Sequence, residues 1–175
     1  MNGFINRIIR AAKLDTSVYE EVEADKKALR QAMGVVILSN IAFGIGFGSA
    51  SLREMIPIMI MGLVAWYVWA YIIYFIGTRF LPEPETKADH GELLRTLGFA
   101  SSPGLIRVFG IIPGLSNVIF LVVSLWMLIA MVIAVRQALD YKSTLRATFV
   151  CVLGWVFYMF VIILFSLIGK KLRGA

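Results

Sequence analysis

Residues 94–150 contain long apolar segments with very little polar sequence between them. Two of these segments are joined by Pro113-Gly114, and the first of the two contains an arginine, Arg107. Across the chain 59% of the residues are hydrophobic, whereas soluble domains have about 45–50% apolar residues. Because an aqueous fold of 175 residues cannot bury so much apolar sequence, the chain is predicted to be an integral membrane protein.

Turns and charges divide the chain into three regions. Residues 1–31 are predicted to be a cytoplasmic region, residues 32–169 the transmembrane domain and residues 170–175 a basic tail. A helix needs about 20 apolar residues to cross a bilayer, and five spans are predicted, at about 32–48, 55–77, 96–112, 115–135 and 147–169. The predicted fold class is therefore an all-α polytopic membrane protein with five transmembrane helices, the third interrupted and either spanning or re-entrant.

The placement of the 17 lysines and arginines bears on the orientation. With five spans and the N-terminus inside, twelve of these cations lie inside and four outside, in line with the positive-inside rule. If the third apolar segment enters and returns on one side, the counts become thirteen and four, and the basic tail moves inside. Charge alone leaves both arrangements open.

The first fourteen residues have the pattern of an amphipathic helix. Phe4 and Ile8 fall on one face, and Arg7, Arg10 and Lys13 fall on the other. This pattern is typical of an interfacial helix whose apolar side lies among lipid headgroups while its cations contact lipid phosphates. The alternative is a short helix that packs on its own protein.

The second helix is predicted to begin with a capping box at Ser17-Val18-Tyr19-Glu20, after a break at Asp15-Thr16.

Small residues are predicted to mediate close helix packing. Asn40, Gly44 and Gly48 repeat every four residues along the first span, and Gly110 and Gly114 have the same spacing later. Such ridges let helices approach closely in a membrane, and an asparagine adds an interhelical hydrogen bond. Packing is the favoured role for Asn40, and a functional polar site is the alternative.

The third apolar segment carries the candidate site, which we predict from Gly98, Pro103 and Arg107, with Asn40 and Asn117 as possible partners. Pro103 removes a backbone donor and disfavours helix geometry at Ser102, so the helix is expected to break there. An arginine at membrane depth costs several kcal/mol unless it is paired or reaches the interface. Since the apolar segments contain no acidic residue, its partners must be carbonyls, the two asparagines, loop acids or a lipid phosphate.

No catalytic constellation, metal ligand set or cofactor motif is recognisable, so neither a metal nor a cofactor is expected. His90 lies among carboxylates in the loop 78–95, where a solvated role is favoured over a pH sensor or a metal ligand. Cys151 is alone and completes no zinc spacing. Basic patches are not interleaved with exposed aromatics, which argues against nucleic-acid binding.

The order of several segments suggests a family. A helix ending in EEVEADKKALRQA precedes a glycine-rich span, and RTLGFASSPGL, a Pro-Gly turn and AVRQALDYKSTLRATFV follow. Over residues 18–168 this order resembles the bacterial and archaeal branch of the Yip-domain (Ypt/Rab-interacting protein) family. The resemblance implies five membrane helices and a cytoplasmic N-terminus. Eukaryotic relatives bind Rab-type GTPases, but the chain lacks their acidic-aromatic Gly-Pro motif, so such a partner is not expected.

Two functions follow as hypotheses. The favoured one is a non-enzymatic scaffold that organises lipid, binds other membrane proteins or associates with itself. The alternative is a small permease or channel with an anion or lipid-headgroup site around Arg107, because transporters bind substrates at broken helices. Under either hypothesis, the chain is expected to be a multi-pass protein of the prokaryotic cytoplasmic (inner) membrane.

Overall fold

A computed structural model describes residues 3–48 and 51–173; beyond residue 160 it describes the backbone and, among side chains, only that of Ile163. The described residues contain α-helical, 3-10 and π-helical segments and no strand, which confirms the all-α class. The α-helices are α1 Gly3–Ala12, α2 Thr16–Ala24, α3 Ala28–Gly46, α4 Leu52–Phe75, α5 His90–Ala100, α6 Ser116–Ala138 and α7 Thr144–Arg173. A π-helical turn, Ile76–Phe80, extends α4, and a 3-10 segment, Ser102–Ile111, follows α5.

Three helices of the described residues are long and apolar enough to cross a membrane: α3, α4 with its π-helical turn, and α6. The last predicted span falls on α7, which is apolar from Thr144 to Phe160 and continues as a helix to Arg173. The backbone of the predicted basic tail is thus helical as far as residue 173, and residues 174–175 lie outside the described part. The chain is a helical membrane protein, while the count of five spans stays a prediction.

The third apolar segment is interrupted, as predicted. The α-helix ends at Ala100, and the 3-10 segment begins with Ser102 and Pro103. The Ser102 hydroxyl donates to the Phe99 carbonyl at 2.6 Å, and the Gly104 amide donates to the Ser101 carbonyl at 2.9 Å. Proline has no amide donor, so the backbone tightens into i→i+3 bonds at this position instead of continuing the α-helix.

The interrupted segment packs closely against α3 through small residues. A Cβ added to Gly98 would lie 2.6 Å from the Cβ of Ala32, one added to Gly104 would meet the Ser39 hydroxyl, and one added to Gly46 would meet the backbone carbonyl of Arg107. The three positions on α3 repeat every seven residues and so share one face of the helix. This face, which we call the 32–39–46 face, differs from the predicted ridge.

The predicted ridge of Asn40 and Gly44 contacts α4 instead. A Cβ on Gly44 would lie 3.7 Å from Cδ1 of Ile58, and the Asn40 amide lies against Gly62. Asn40 donates to the Val36 carbonyl of its own helix at 2.8 Å, so the expected interhelical hydrogen bond is not formed.

Two of the glycines predicted to pack between helices instead allow a backbone conformation that glycine favours. Gly48 has φ +81° and Gly114 has φ +82°, values that favour glycine, and an added Cβ would meet nothing within 4 Å at either position. Gly48 follows α3 and Gly114 lies in the turn before α6. Neither residue therefore packs against a residue that the structure describes, whereas Gly110 packs against Phe120 and Gly46.

One side of helix α1 packs on its own protein, while Ile5 and Ile9 are 49% and 40% exposed, so the interfacial position of α1 stays a prediction. Phe4 and Ile8 lie against the core, while Lys13 is exposed. The cations meet acidic residues of the following segment: Arg7 pairs with Glu21 at 2.8 Å and Asp25 at 3.0 Å, and Arg10 pairs with Asp15 at 2.8 Å and Glu21 at 2.6 Å. Arg7 and Arg10 are therefore paired with carboxylates of the same chain.

The cap of α2 lies two residues before the predicted one. Asp15 is the N-cap, and its carboxylate accepts from the Ser17 amide at 3.0 Å and from the Ser17 hydroxyl at 2.6 Å. These bonds and the Arg10 guanidinium lower the pKa of Asp15 to about 2. The aspartate at the predicted break is thus the residue that begins the helix.

Two contacts that fix the N-terminal helices to the membrane domain use backbone carbonyls of α1 and α2. The buried Arg95 donates from Nε to the carbonyls of Val22 and Glu23 at 3.0 and 3.1 Å, at the last turn of α2. The indole of Trp126 on α6 donates to the carbonyl of Ala12, the last residue of α1, at 2.9 Å. Both contacts satisfy carbonyls that a helix end leaves without partners.

A cleft of about 880 Å³ lies beside α2 and includes Glu23, Glu92 and Asp140 in its lining. Burial raises the pKa of Glu23 to about 7, and the nearby Glu92, Asp140 and Glu20 carboxylates add to the shift, while Arg95 opposes it. The fold thus favours the neutral form of Glu23. Its ordinary pKa is 4.5, so the contribution of Glu23 to folding stability is greatest below that pH, declines as the pH rises and is lowest above about 7.

Replacing Glu23 with glutamine removes this decline, because glutamine is neutral at every pH. Thermal unfolding in a mild detergent should show equal stability of the variant and the parent near pH 4. The variant should be more stable near pH 8, by about 1 kcal/mol after allowance for the exposed part of the side chain. Glu54→Gln, at an exposed carboxylate in the first turn of α4, serves as the control. A difference in stability between Glu23→Gln and the parent that stays constant across the pH range would contradict the raised pKa of Glu23.

Candidate functional site

The guanidinium of Arg107 points into the helix bundle. The backbone carbonyl of Arg107 lies against Gly46, the last residue of α3. Its side chain reaches back along the bundle: Nη2 donates to Oγ of Ser124 at 3.0 Å, and the rings of Phe43 and Phe120 lie 5.5 and 5.8 Å from Cζ. Phe43 precedes Gly46 by about one turn, and Ser124 lies one turn further along α6 than Phe120. The side chain of Arg107 thus runs back along α3, away from the end of that helix at Gly46.

Arg107 has no anionic partner among the described residues. The ion pairs of these residues involve other arginines and Lys142. Nε of Arg107 is buried without a hydrogen-bond partner, and Ser124 is the one hydrogen-bond acceptor that the described side chains and backbone supply. Aromatic faces attract a cation, but a neutral hydroxyl and two rings leave its positive charge uncompensated.

The structure brings together only part of the predicted site. Pro103 is buried at the start of the 3-10 segment that carries Arg107. Gly98 packs on Ala32 and Asn40 faces α4, as described above, and Asn117 is exposed. Neither asparagine is hydrogen-bonded to Arg107, so the suggestion that they pair with it is wrong.

Sequence reasoning missed three contacts of Arg107: Ser124, Phe43 and Phe120. Ser124 is the one hydroxyl residue between Asn117 and Arg136 of an otherwise apolar span, a signal that could have identified it. Phenylalanines are common in membrane helices, and the sequence carries no mark that distinguishes these two.

A cavity of about 870 Å³ opens beside the guanidinium, between α4, the interrupted segment, α6 and α7. Most of its lining is apolar, including Trp66, Trp69 and Trp155, and Arg107 is the one charged side chain among the described residues that line it. Among its hydroxyl residues, Ser101 and Thr148 donate to backbone carbonyls four residues earlier, Ser124 accepts from Arg107, and Tyr158 also lines the cavity. The cavity therefore offers a single cation within an apolar wall.

The family comparison covers this whole region. The Yip1 domain family model matches residues 18–165. The chain belongs to the Yip1 domain family. This confirms the family predicted from the order of the segments, while the bacterial and archaeal branch stays a prediction. No curated protein and no solved structure shows a significant match to the chain.

The Yip1 domain match begins inside α2 and extends into α7, so it contains Arg107, its contacts and every cavity residue named above. Helix α1 lies before the matched region. The candidate site is therefore part of the family domain, whereas the α1 residues Arg7 and Arg10 are outside it.

His90 lies at the start of α5 and not in the loop where the sequence suggested it. It follows the N-cap Asp89, and its ring contacts the rings of Tyr67, Tyr71 and Tyr74 at centroid distances of 4.9 to 6.2 Å. The described residues contain no group of three or more histidine, cysteine or acidic side chains that could hold a metal. Its aromatic surroundings give His90 a packing role at the α4–α5 contact.

Proposed function

We propose that this member of the Yip1 domain family is a non-enzymatic membrane protein that binds an anion, or the anionic headgroup of a lipid, at Arg107. The observation that carries the proposal is the direction of the guanidinium, which points into the bundle and has no carboxylate partner among the described residues. The proposal agrees with the hypothesis of an anion or lipid-headgroup site at the broken third helix.

The energetics of an isolated cation support an anionic occupant. A charged group removed from water costs several kcal/mol unless an opposite charge or good hydrogen bonds compensate it. Ser124 and the two phenylalanine rings supply part of this compensation. An oxyanion would supply the rest, because arginine forms short, charge-assisted bonds with carboxylates and phosphates.

The predicted scaffold role stays a second proposal, and the fold supports it in one respect. Arg95 and Trp126 fix α1 and α2 to the membrane domain, and a scaffold needs such a fixed attachment of its extramembrane part. The glycine ridge gives it less support, because Gly44 already packs against α4. We place the N-terminus in the cytoplasm from the distribution of positive charge.

Replacing Arg107 with glutamine is expected to abolish the discrimination between charged and neutral ligands. The full-length protein in an uncharged detergent would be titrated with a brominated long-chain fatty acid and, separately, with its uncharged methyl ester. Bromine quenches tryptophan fluorescence at short range, and three of the four tryptophans line the cavity. We expect the acid to bind about tenfold tighter than the ester to the parent protein, because a charge-assisted bond contributes about 1.5–3 kcal/mol.

The matched control is Arg53→Gln, at an exposed arginine near the start of α4. It should keep the preference for the acid, and the Arg107 variant should bind acid and ester alike while unfolding at a temperature close to that of the parent. Equal binding of acid and ester by the parent, or an unchanged preference in the Arg107 variant, would remove the proposed function.

A further inference from the structure

We infer that the cavity beside Arg107 binds a long-chain amphiphile, with its oxyanion head at the guanidinium and its hydrocarbon tail along the tryptophan-lined wall. The inference rests on the proposed function and goes further, because it specifies the class of ligand. A soluble anion would use Arg107 and leave the apolar volume unused, whereas an amphiphile uses both.

The charge distribution of the cavity matches such a ligand. Arg107 is the one charged group among the described lining residues, and the remainder of the wall is mostly aliphatic and aromatic, with Met127, Leu128 and Met131 on α6. Ligand pockets typically combine an apolar wall with a few polar groups that fix the orientation of the ligand. One cation in an apolar cavity suits a molecule with one anionic end.

The cavity is accessible from the side of the bundle that faces the hydrocarbon. Leu128 on α6 and Val152 and Trp155 on α7 line it, and these side chains are 53%, 52% and 60% exposed. Because they belong to two helices of the apolar bundle, the opening between them faces lipid and not water. A ligand that enters by this route comes from the bilayer, and molecules dissolved in the bilayer carry long apolar chains.

The indole groups add a second requirement. The Nε1 atoms of Trp66 and Trp69 are buried and have no hydrogen-bond partner among the described residues. Buried indole N–H groups normally find an acceptor. A hydrocarbon tail offers these groups no acceptor, whereas an ester oxygen of a phospholipid whose phosphate lies at Arg107 would offer one, so this requirement favours the phospholipid over the fatty acid.

The oxyanion can come from two sources, the carboxylate of a fatty acid or the phosphate of a membrane lipid. Both present oxygens that arginine binds through charge-assisted bonds. The experiment therefore includes a brominated fatty acid and a brominated phosphatidylglycerol as separate probes.

The test measures the contribution of the tail. In the fluorescence assay, the full-length protein would be titrated with 4-bromobutyrate and with the brominated long-chain acid, and we expect the long-chain acid to bind about tenfold tighter or more. Val152→Phe places a larger side chain at the mouth of the cavity. It should weaken the binding of the long-chain acid by a similar factor and leave the binding of bromobutyrate unchanged. Val156→Phe, at an exposed position on the same helix but outside the cavity lining, is the matched control and should leave both probes unchanged.

The outcomes separate the inference from the proposed function. If bromobutyrate binds as tightly as the long-chain acid, or if Val152→Phe and Val156→Phe behave alike, the inference is wrong, while Arg107-dependent preference for the anion would still support the proposed function. If no probe depends on Arg107, both are wrong. Tighter binding of the fatty acid than of the phosphatidylglycerol would identify the carboxylate as the preferred head, and the reverse would identify the phosphate.

Discussion

Replacing Gly46 with alanine is expected to destabilise the protein by about 3 kcal/mol, the upper part of the range for overpacked positions. The new Cβ would collide with the backbone carbonyl of Arg107 and would lie 3.2 Å from Cζ of Phe120. A backbone carbonyl cannot rotate away, so α3 must separate from the 3-10 segment along the 32–39–46 face. The midpoint of thermal unfolding in a mild detergent should fall by roughly 10 °C.

Gly34→Ala provides a matched control on the same helix. There the added Cβ meets only Cζ of Phe4, at 3.5 Å, which is an ordinary contact. Since alanine has a higher helix propensity than glycine by about 1 kcal/mol, this variant should be as stable as the parent or more stable. If the two variants unfold at the same temperature, α3 does not approach the interrupted segment closely at Gly46.

Replacing Arg95 with leucine is also expected to cost about 3 kcal/mol. Leucine preserves the apolar part of the buried site, but it leaves the carbonyls of Val22 and Glu23 without the guanidinium that now binds them. Each buried acceptor left unpaired costs about 1–3 kcal/mol. The loss should be local as well as global: α2 should exchange its amide hydrogens faster and become sensitive to protease, while α6 stays protected.

Arg30→Leu is the control, because Arg30 is exposed on α3 and the same charge is lost there. It should leave both the unfolding midpoint and the exchange of α2 unchanged. The unfolding midpoint of Arg95→Lys should lie between those of the Arg95 and Arg30 leucine variants, since an ammonium group lacks the planar fork that reaches both carbonyls. Equal exchange of α2 in the Arg95 and Arg30 leucine variants would show that Arg95 does not hold this helix.

The sequence was sufficient to predict the apolar helices and the interruption at Pro103. These features depend on local chemistry, namely the length of apolar runs and the missing amide of proline. The faces that meet in space were not predictable in the same way. Asn40, Gly44 and Gly48 repeat every four residues, and this spacing is compatible with close packing on any neighbour; the helix that actually packs against the interrupted segment uses positions seven residues apart.

The first helix shows a related difficulty. An amphipathic pattern predicts that one face is covered but not whether lipid or protein covers it. The decisive contacts join basic residues of α1 to acidic residues of the segment that follows, as in the Arg7–Glu21 pair. Complementary charge in neighbouring segments was visible in the sequence and could have favoured packing on the protein.

The environment of Arg107 was only partly predictable. The absence of acidic residues from the apolar segments correctly indicated that the guanidinium lacks a carboxylate in the described bundle. Its direction depends on which residues of α3 and α6 lie beside the 3-10 segment, and that is a tertiary property. Ser124 follows Arg107 by 17 positions along the chain, across a turn, so no local pattern connects them.

The bond from Trp126 to the carbonyl of Ala12 has a consequence for biosynthesis. The two residues are 114 positions apart, so most of the chain must leave the ribosome before the first helix can reach its final place. The Arg95 contacts with α2 likewise become available only after the loop that follows α4. The amino-terminal helices can therefore take their final positions only after α5 and α6 have been synthesised.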